Sequence, residues 1–255
     1  MKNPASQLEG ADPMLATPGR GASPAPRQFY WKGLHVPYIA PWSVETPLPG
    51  PLIRRHGRGV VGLGYADELP TIDRRNGALW ARRAVCPGKG VPSLAGVHPR
   101  RQPQAMAHLL CQVCGHTTYD SLWDLWGERH LVLLRALRPG HVIAEGETTD
   151  SPPICLQCAL ESIEACPQIR QRWSAALVGY IQPWGVAGVP HDPDTLAPRP
   201  LIDGRLAPRP FGHEEYNWLV AARDIVSLHE VTPVDLHELA AEAAAAGLYD
   251  MAPSR

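Results

Sequence analysis

Cys111-Gln-Val-Cys114-Gly115-His116 and, further along, Ser151-Pro-Pro-Ile-Cys155-Leu-Gln-Cys158 are the two runs whose reading decides the fold. Each holds a Cys-x-x-Cys pair, a spacing that lets two thiolates grip one face of a metal ion about 2.3 Å away. Two pairs brought together complete a tetrahedral shell, so Cys111, Cys114, Cys155 and Cys158 are the candidate ligands of one zinc ion. Four sulfurs leave no open coordination position, and the role expected of that zinc is structural. Gly115, directly after Cys114, supplies the left-handed residue that a tight knuckle needs. Beyond the second pair, Leu156, Ala159, Leu160 and Ile163 recur at helical spacing. Cys155 and Cys158 therefore fall in the first turn of a helix, which Pro167 stops at Cys166.

Knuckle, intervening hairpin and Cys-x-x-Cys at a helix start is the order of a treble-clef zinc module, and residues 106–170 resemble one. The segment is also similar to the zinc scaffold of HNH nucleases, where Cys-x-x-Cys-Gly and a later Cys-x-x-Cys frame a catalytic histidine. The likeness extends to the scaffold and not to the chemistry. His116-Thr-Thr-Tyr-Asp120 stands where that family places an Asp-His or His-His pair, and Ala159 follows Cys158 where it usually places a histidine. His130 and His141 lie in the insert as replacements. The chain as a whole is similar to proteins of high-GC bacteria, a likeness that carries no activity with it.

Outward from the cysteines, four regions are expected. Residues 1–28 are proline-rich with little to bury and read as a disordered tail. Residues 29–104 read as a small twisted β region with a basic linker. Structure starts near Phe29-Tyr-Trp31, edge strands lie within His35–Val44, and Gly57–Gly64 is a bent strand whose glycine spacing fits no phosphate loop. Asn76-Gly77 is a hairpin turn that sends Ala78-Leu-Trp80 back as a strand. Residues 105–172 are the four-cysteine zinc module, reached by a short helix over Pro103–Leu110. Periodicity leaves Leu131–Leu137 open between helix and strand, and His141–Glu145 reads as a strand.

Residues 173–255 read as a strand followed by a C-terminal helical pair. Tyr180–Val186 repeats most of Tyr38–Val44, a sign of two similar edge strands. Glu214–His229 places Tyr216, Leu219, Val220, Arg223 and Val226 on one helical side. The second helix opens on Thr232 as N-cap, with Pro233, a capping-box Asp235 and a Val231–Leu236 staple, and it ends at Gly247. The expected fold class is thus α+β: short antiparallel strands around a central treble-clef-like zinc module, with a C-terminal helix pair.

Composition sets the outer bounds. The 255 residues are 44% hydrophobic, enough for a packed core, and 28 prolines with 23 glycines call for many turns. No apolar run approaches the roughly 18 residues of a membrane span, and no signal-peptide layout opens the chain, so a soluble cytoplasmic protein without membrane contact is expected. Four of six cysteines in chelating pairs suit a reducing compartment. Of the other two, Cys166 reads as a packed small hydrophobe, and nothing near Cys86 activates it.

A formal charge of −1 hides an asymmetry, because Leu52–Arg101 holds ten Lys/Arg against three Asp/Glu, while Asp203–Asp250 holds three against nine. The basic stretch can grip phosphate, face the acidic part of the same chain, or stay solvated. Arg54, Arg55, Arg58, Arg100 and Arg101 are its candidate nucleic-acid contacts. The expected function is a non-enzymatic binding or regulatory module with a structural four-cysteine zinc site, in contact with nucleic acid. One alternative is a diverged HNH-like nuclease or a metal-dependent tailoring enzyme using His191, Asp192 and Asp194. Another is a scaffold whose acidic helix pair docks a protein partner. The Glu-adjacent His213, His229 and His237 have no diagnostic spacing.

Overall fold

A computed structural model describes residues 26–57, 60–136, 138–170 and 172–250. In chain order the elements are β1 (Tyr30–Trp31), β2 (Leu34–His35), β3 (Leu52–Gly57), β4 (Val60–Tyr65), α1 (Pro70–Asp73), β5 (Arg74–Arg75), β6 (Ala78–Trp80), α2 (Arg101–His108), α3 (Ser121–Leu125), β7 (His130–Arg135), β8 (Thr148–Thr149), α4 (Leu156–Ala165), β9 (Trp173–Pro190), β10 (Ala207–Pro210), β11 (Leu219–Pro233) and α5 (Leu236–Ala245). The architecture is α+β. No helix among the described residues is long and apolar enough to cross a membrane.

The sheet is built on β9 and β11, which pair antiparallel from Leu219↔Pro190 to Pro233↔Ala176. Shorter strands line both outer edges: β7 and β10 on β9, β6 and β8 on β11, with β5 beyond β6. Glycine is required where neighbouring strands crowd β9, since a Cβ on Gly188 would meet the Val220 carbonyl oxygen at 2.2 Å. The sheet separates two cores, and strand alternation sorts residues between them. Leu131, Leu133, Ala175 and Leu177 face the cysteines, α4 and α5. Val132, Leu134, Ala176, Val178, Val226 and Leu228 face Met106 of α2 and Ile143 on the other side. A strand buried on both faces carries a continuous apolar run, which is why β7 shows no alternation.

Several expectations fail here for identifiable reasons. No C-terminal helix pair forms: Glu214–Trp218 is a 3-10 turn capped by His213, and Leu219–Pro233 is a 15-residue strand. With Val220, Ile225, Val226 and Val231 it pairs with β9, and bulges at Ala221/Arg223 and Ile225/Val226 shift its phase until it imitates helical spacing. Consequently α5 starts three residues later than expected. Asp235 is its N-cap, accepting from the His237 and Glu238 amides, and Pro233 is the last strand residue.

Residues 33–86 do not form one continuous sheet. β1–β2 and β3–β4 are separate two-stranded pieces, whereas β6 joins the main sheet parallel to β11. The Asn76-Gly77 turn does form, with φ of 49° and 83°, and it links β5 to β6. Tyr38–Val44 and Tyr180–Val186 differ in structure, the first irregular and the second inside β9, and His141–Ala144 is irregular rather than a strand. The hairpin expected between the cysteine pairs is not closed on itself, because β7 pairs with β9 and β8 with β11.

Candidate metal centre

Helix α2 delivers the chain to the first cysteine pair and ends at Leu109, which adopts left-handed φ/ψ. A bridge between Leu110 and Thr117 then closes the knuckle. Inside it the Cys111 amide donates to the His116 carbonyl at 2.7 Å and the Gly115 amide to the Cys111 carbonyl at 2.8 Å. Gly115 has φ of +72°, and a Cβ there would sit 2.8 Å from the Tyr38 ring. Two neighbouring segments hold the knuckle in place: the Tyr38 amide donates to Val113 and the Gln112 amide to Pro153. The second contact ties the first pair to the Pro152-Pro153 run that introduces the second. Cys155 is the N-cap of α4 and Cys158 lies in its first turn, as expected from the sequence.

The four cysteine sulfurs lie within 4.8 Å of one another, and Cys114 Sγ is 3.8 Å from Cys155 Sγ. No disulfide joins them. A tetrahedron of sulfurs about 2.3 Å from a central ion has edges of about 3.8 Å, so the set fits one tetrahedrally coordinated metal ion. Cys111, Cys114 and Cys158 are buried, and Cys155 is half-buried at the mouth. Hydrogen bonds accepted from Cys111, Cys155 and Cys158 hold Cys114 far below the usual thiol range. Cys155 and Cys158 are pushed far above it, chiefly by their hydrogen bonds to Cys111 and Cys114. A dication removes this conflict by stabilising all four thiolates, and binding it releases protons. Beside the cage, His35 Nδ1 lies 3.2 Å from Glu161 Oε2, and both approach Cys158.

The proposed nucleic-acid contacts differ in exposure and pairing. Arg54 donates to the Pro193 carbonyl, pairs with Asp194 at 3.3 Å and lies over the Trp218 ring. Arg55 pairs with Glu68 at 3.0 Å. Arg58 lies outside the described residues, and Arg100 is exposed at the start of α2. Arg101 is buried, which removes it from any nucleic-acid surface: its guanidinium bonds Glu45 and the carbonyls of Tyr38 and Ala40. The basic and acidic stretches meet within the chain, where Arg75 pairs with Asp224 at 3.0 Å.

Most of the remaining polar candidates find structural partners. His130 is buried with Nδ1 2.8 Å from Thr118 Oγ1, and His141 pairs with Glu147. His191 is buried and bonded to the Val189 carbonyl, while Asp192 accepts from the amides of Thr195 and Asp194, which lowers its pKa. His237 is exposed on α5. His229 bridges Ser227 Oγ at 2.9 Å and Glu145 at 3.0 Å, a chain that local spacing does not reveal because Glu145 lies far off in sequence. It runs along the open face of the sheet beside exposed Tyr180 and Gln182. Cys86 donates its amide to Glu45, and Cys166 caps the end of α4.

Fold and site together define an α+β protein with a four-cysteine site able to hold a metal ion. Comparison with family models, curated proteins and solved structures gives no match.

Proposed function

We propose that this chain is a zinc-stabilised, non-enzymatic binding module whose partner is nucleic acid. The observation that carries the reading is the closed cage: four sulfurs on two separate segments at tetrahedral spacing, none exchangeable for substrate without unfastening the fold. All-sulfur tetrahedral sites suit zinc, and the knuckle followed by Cys-x-x-Cys at a helix start supports a treble-clef relationship for this part of the chain. Native mass spectrometry is expected to find one zinc per chain, lost with a chelator.

Nucleic acid as the partner is supported by the excess of arginine between residues 52 and 101. With Arg54 and Arg55 held in ion pairs and Arg101 buried, this positive charge must act through the other arginines. Binding of a single strand is expected to weaken with salt, with a log–log slope of about −2 to −3 for three or four phosphate contacts. Binding that ignores salt, or no binding, removes the reading. A nuclease reading is less favoured because His130 is buried against Thr118 and His141 is paired with Glu147. The scaffold reading rested on an acidic helix pair, and the strand β11 takes the place of its first helix.

A further inference from the structure

A cleft of about 980 Å³ opens where α1, the β5–β6 hairpin and the start of α2 meet, and five arginines line it: Arg74, Arg75, Arg82, Arg83 and Arg100. Three are neutralised and fixed in place. Arg74 bonds Glu68 at 2.7 and 3.0 Å, Arg82 bonds Asp73 at 2.6 and 2.8 Å and also Asp67, and Arg75 pairs with Asp224. The other two differ. Arg83 donates through Nε to the Glu45 carbonyl, Arg100 is exposed, and neither forms an ion pair with a carboxylate among the described residues. Their guanidinium groups give the cleft its uncompensated positive charge.

Asp67 and Asp73, both paired with Arg82, and Thr71 also line the cleft, and the remainder is apolar and stiff. Leu48, Leu69 and Ile72 are each more than half exposed at its edge, and Trp80 contributes to the wall. Pro47, Pro49, Pro99 and Pro103 complete it with side chains that lose almost no rotamer entropy when a ligand binds. Exposed aliphatic side chains beside unpaired guanidiniums suit a ligand that is an anion at one end and a flat apolar ring at the other. Guanidinium groups bind phosphate bidentately and also stack on bases. The volume lies at the upper end of the range for small-ligand sites, so a phosphate and its base fit together.

We infer that this cleft is a nucleotide-phosphate site, with Arg83 and Arg100 gripping the phosphate and the Leu48, Leu69 and Ile72 ledge receiving the base. The inference rests on the nucleic-acid reading above and assigns it a location. The phosphate comes either from a strand or from a free nucleotide.

The test uses the full zinc-loaded chain and a fluorescein-labelled single strand of roughly twelve nucleotides, within the site size of a stacking groove. Fluorescence anisotropy should show Arg83→Glu/Arg100→Glu weakening binding roughly tenfold or more, while Arg54→Glu/Arg55→Glu changes it by less than about twofold. Arg83→Gln/Arg100→Gln, with the zinc content and circular dichroism of wild type, should shift affinity in the same direction and so separates binding from folding. The reverse pattern, with loss confined to the Arg54/Arg55 variant, overturns the cleft and leaves the nucleic-acid reading standing. No binding by wild type overturns both. ATP that displaces the strand supports recognition of a single nucleotide phosphate. Binding that ATP does not displace, yet that depends on Arg83 and Arg100, supports the same site filled by a strand.

Discussion

Cys155→Ser is expected to lower zinc content well below one per chain and to melt the segment joining the knuckle to α4. Structural zinc contributes on the order of 10–16 kcal/mol to small zinc-folded units, as much as or more than the roughly 5–15 kcal/mol that holds a typical domain folded. Losing one of four ligands need not forfeit all of this, but a loss of a few kcal/mol already matches a large part of net stability. The substitution also isolates the metal from its main confounder. Cys155 is the N-cap of α4 and makes no side-chain capping hydrogen bond. Serine is among the best N-cap residues, so the helix start itself is not weakened. Native mass spectrometry and thermal denaturation by circular dichroism provide the readouts, with Cys86→Ser as the control that retains metal. Full zinc occupancy in Cys155→Ser would sink the ligand assignment.

The damage should spread beyond the cysteines because the cage lies inside a core. Leu131, Ile154, Leu156, Leu236 and Leu239 cluster with the cysteines, so a metal joining the knuckle to α4 would lie in the same core as the sheet and α5. Loss of zinc should therefore expose apolar surface from both helices, and an increase in hydrophobic dye binding would report it.

What the sequence revealed and what it hid follow a physical division. Features fixed by a few adjacent residues were legible: chelating pairs three apart, an Asn-Gly pair that tolerates positive φ, a proline that ends α4. Features fixed by distant partners were not. Leu219–Pro233 has apolar residues that fit helical spacing because two bulges break the alternation a flat strand would show. Only pairing with β9 determines its state. Arg101 looks like any other cation of a basic stretch, and its fate depends on Glu45, 56 positions earlier. The arginine cleft is assembled from residues 47–49, 67–83 and 99–103, so no single window of the sequence displays it.

The Arg101–Glu45 pair carries the second large expected effect. Glu45 is fully buried, and its carboxylate accepts from Arg101 Nη1 and Nη2 at 2.6 and 2.8 Å, from the Trp42 amide at 2.7 Å and from the Cys86 amide at 2.9 Å. Burial alone would raise its pKa, but the Arg101 fork and the two amides outweigh it and hold the group at about 2. Glu45→Ala leaves a guanidinium buried without its counter-charge and two amides without an acceptor. Breaking such a pair from one side costs about 3–5 kcal/mol. Urea denaturation followed by tryptophan fluorescence should show a loss of that size, and a loss below about 1 kcal/mol would refute the role given to the pair.

Replacing both partners with apolar residues of similar volume, as in Glu45→Leu/Arg101→Met, often restores stability at buried ion pairs. Here recovery should be partial, because Arg101 also donates to the carbonyls of Tyr38 and Ala40 at 2.7 and 2.6 Å, and methionine cannot. The pH dependence has a definite sign. A carboxylate whose pKa is depressed by folding adds stability that is complete above its ordinary value of 4.5 and is lost as pH falls through the folded value near 2. His98 is kept neutral by burial and loses stability on the acid side of the ordinary histidine range, whereas Asp224, pushed up by burial to about 6, acts in the opposite direction. Asp224 titrates in Glu45→Gln as well, whereas His98 lies 4.0 Å from Glu45, whose charge raises its pKa, so the substitution lowers the His98 pKa further. The difference between the two stability curves therefore reports Glu45 and its coupling to His98: it should stay flat above the ordinary histidine value of 6.5 and shrink below pH 4.5 as Glu45 itself protonates.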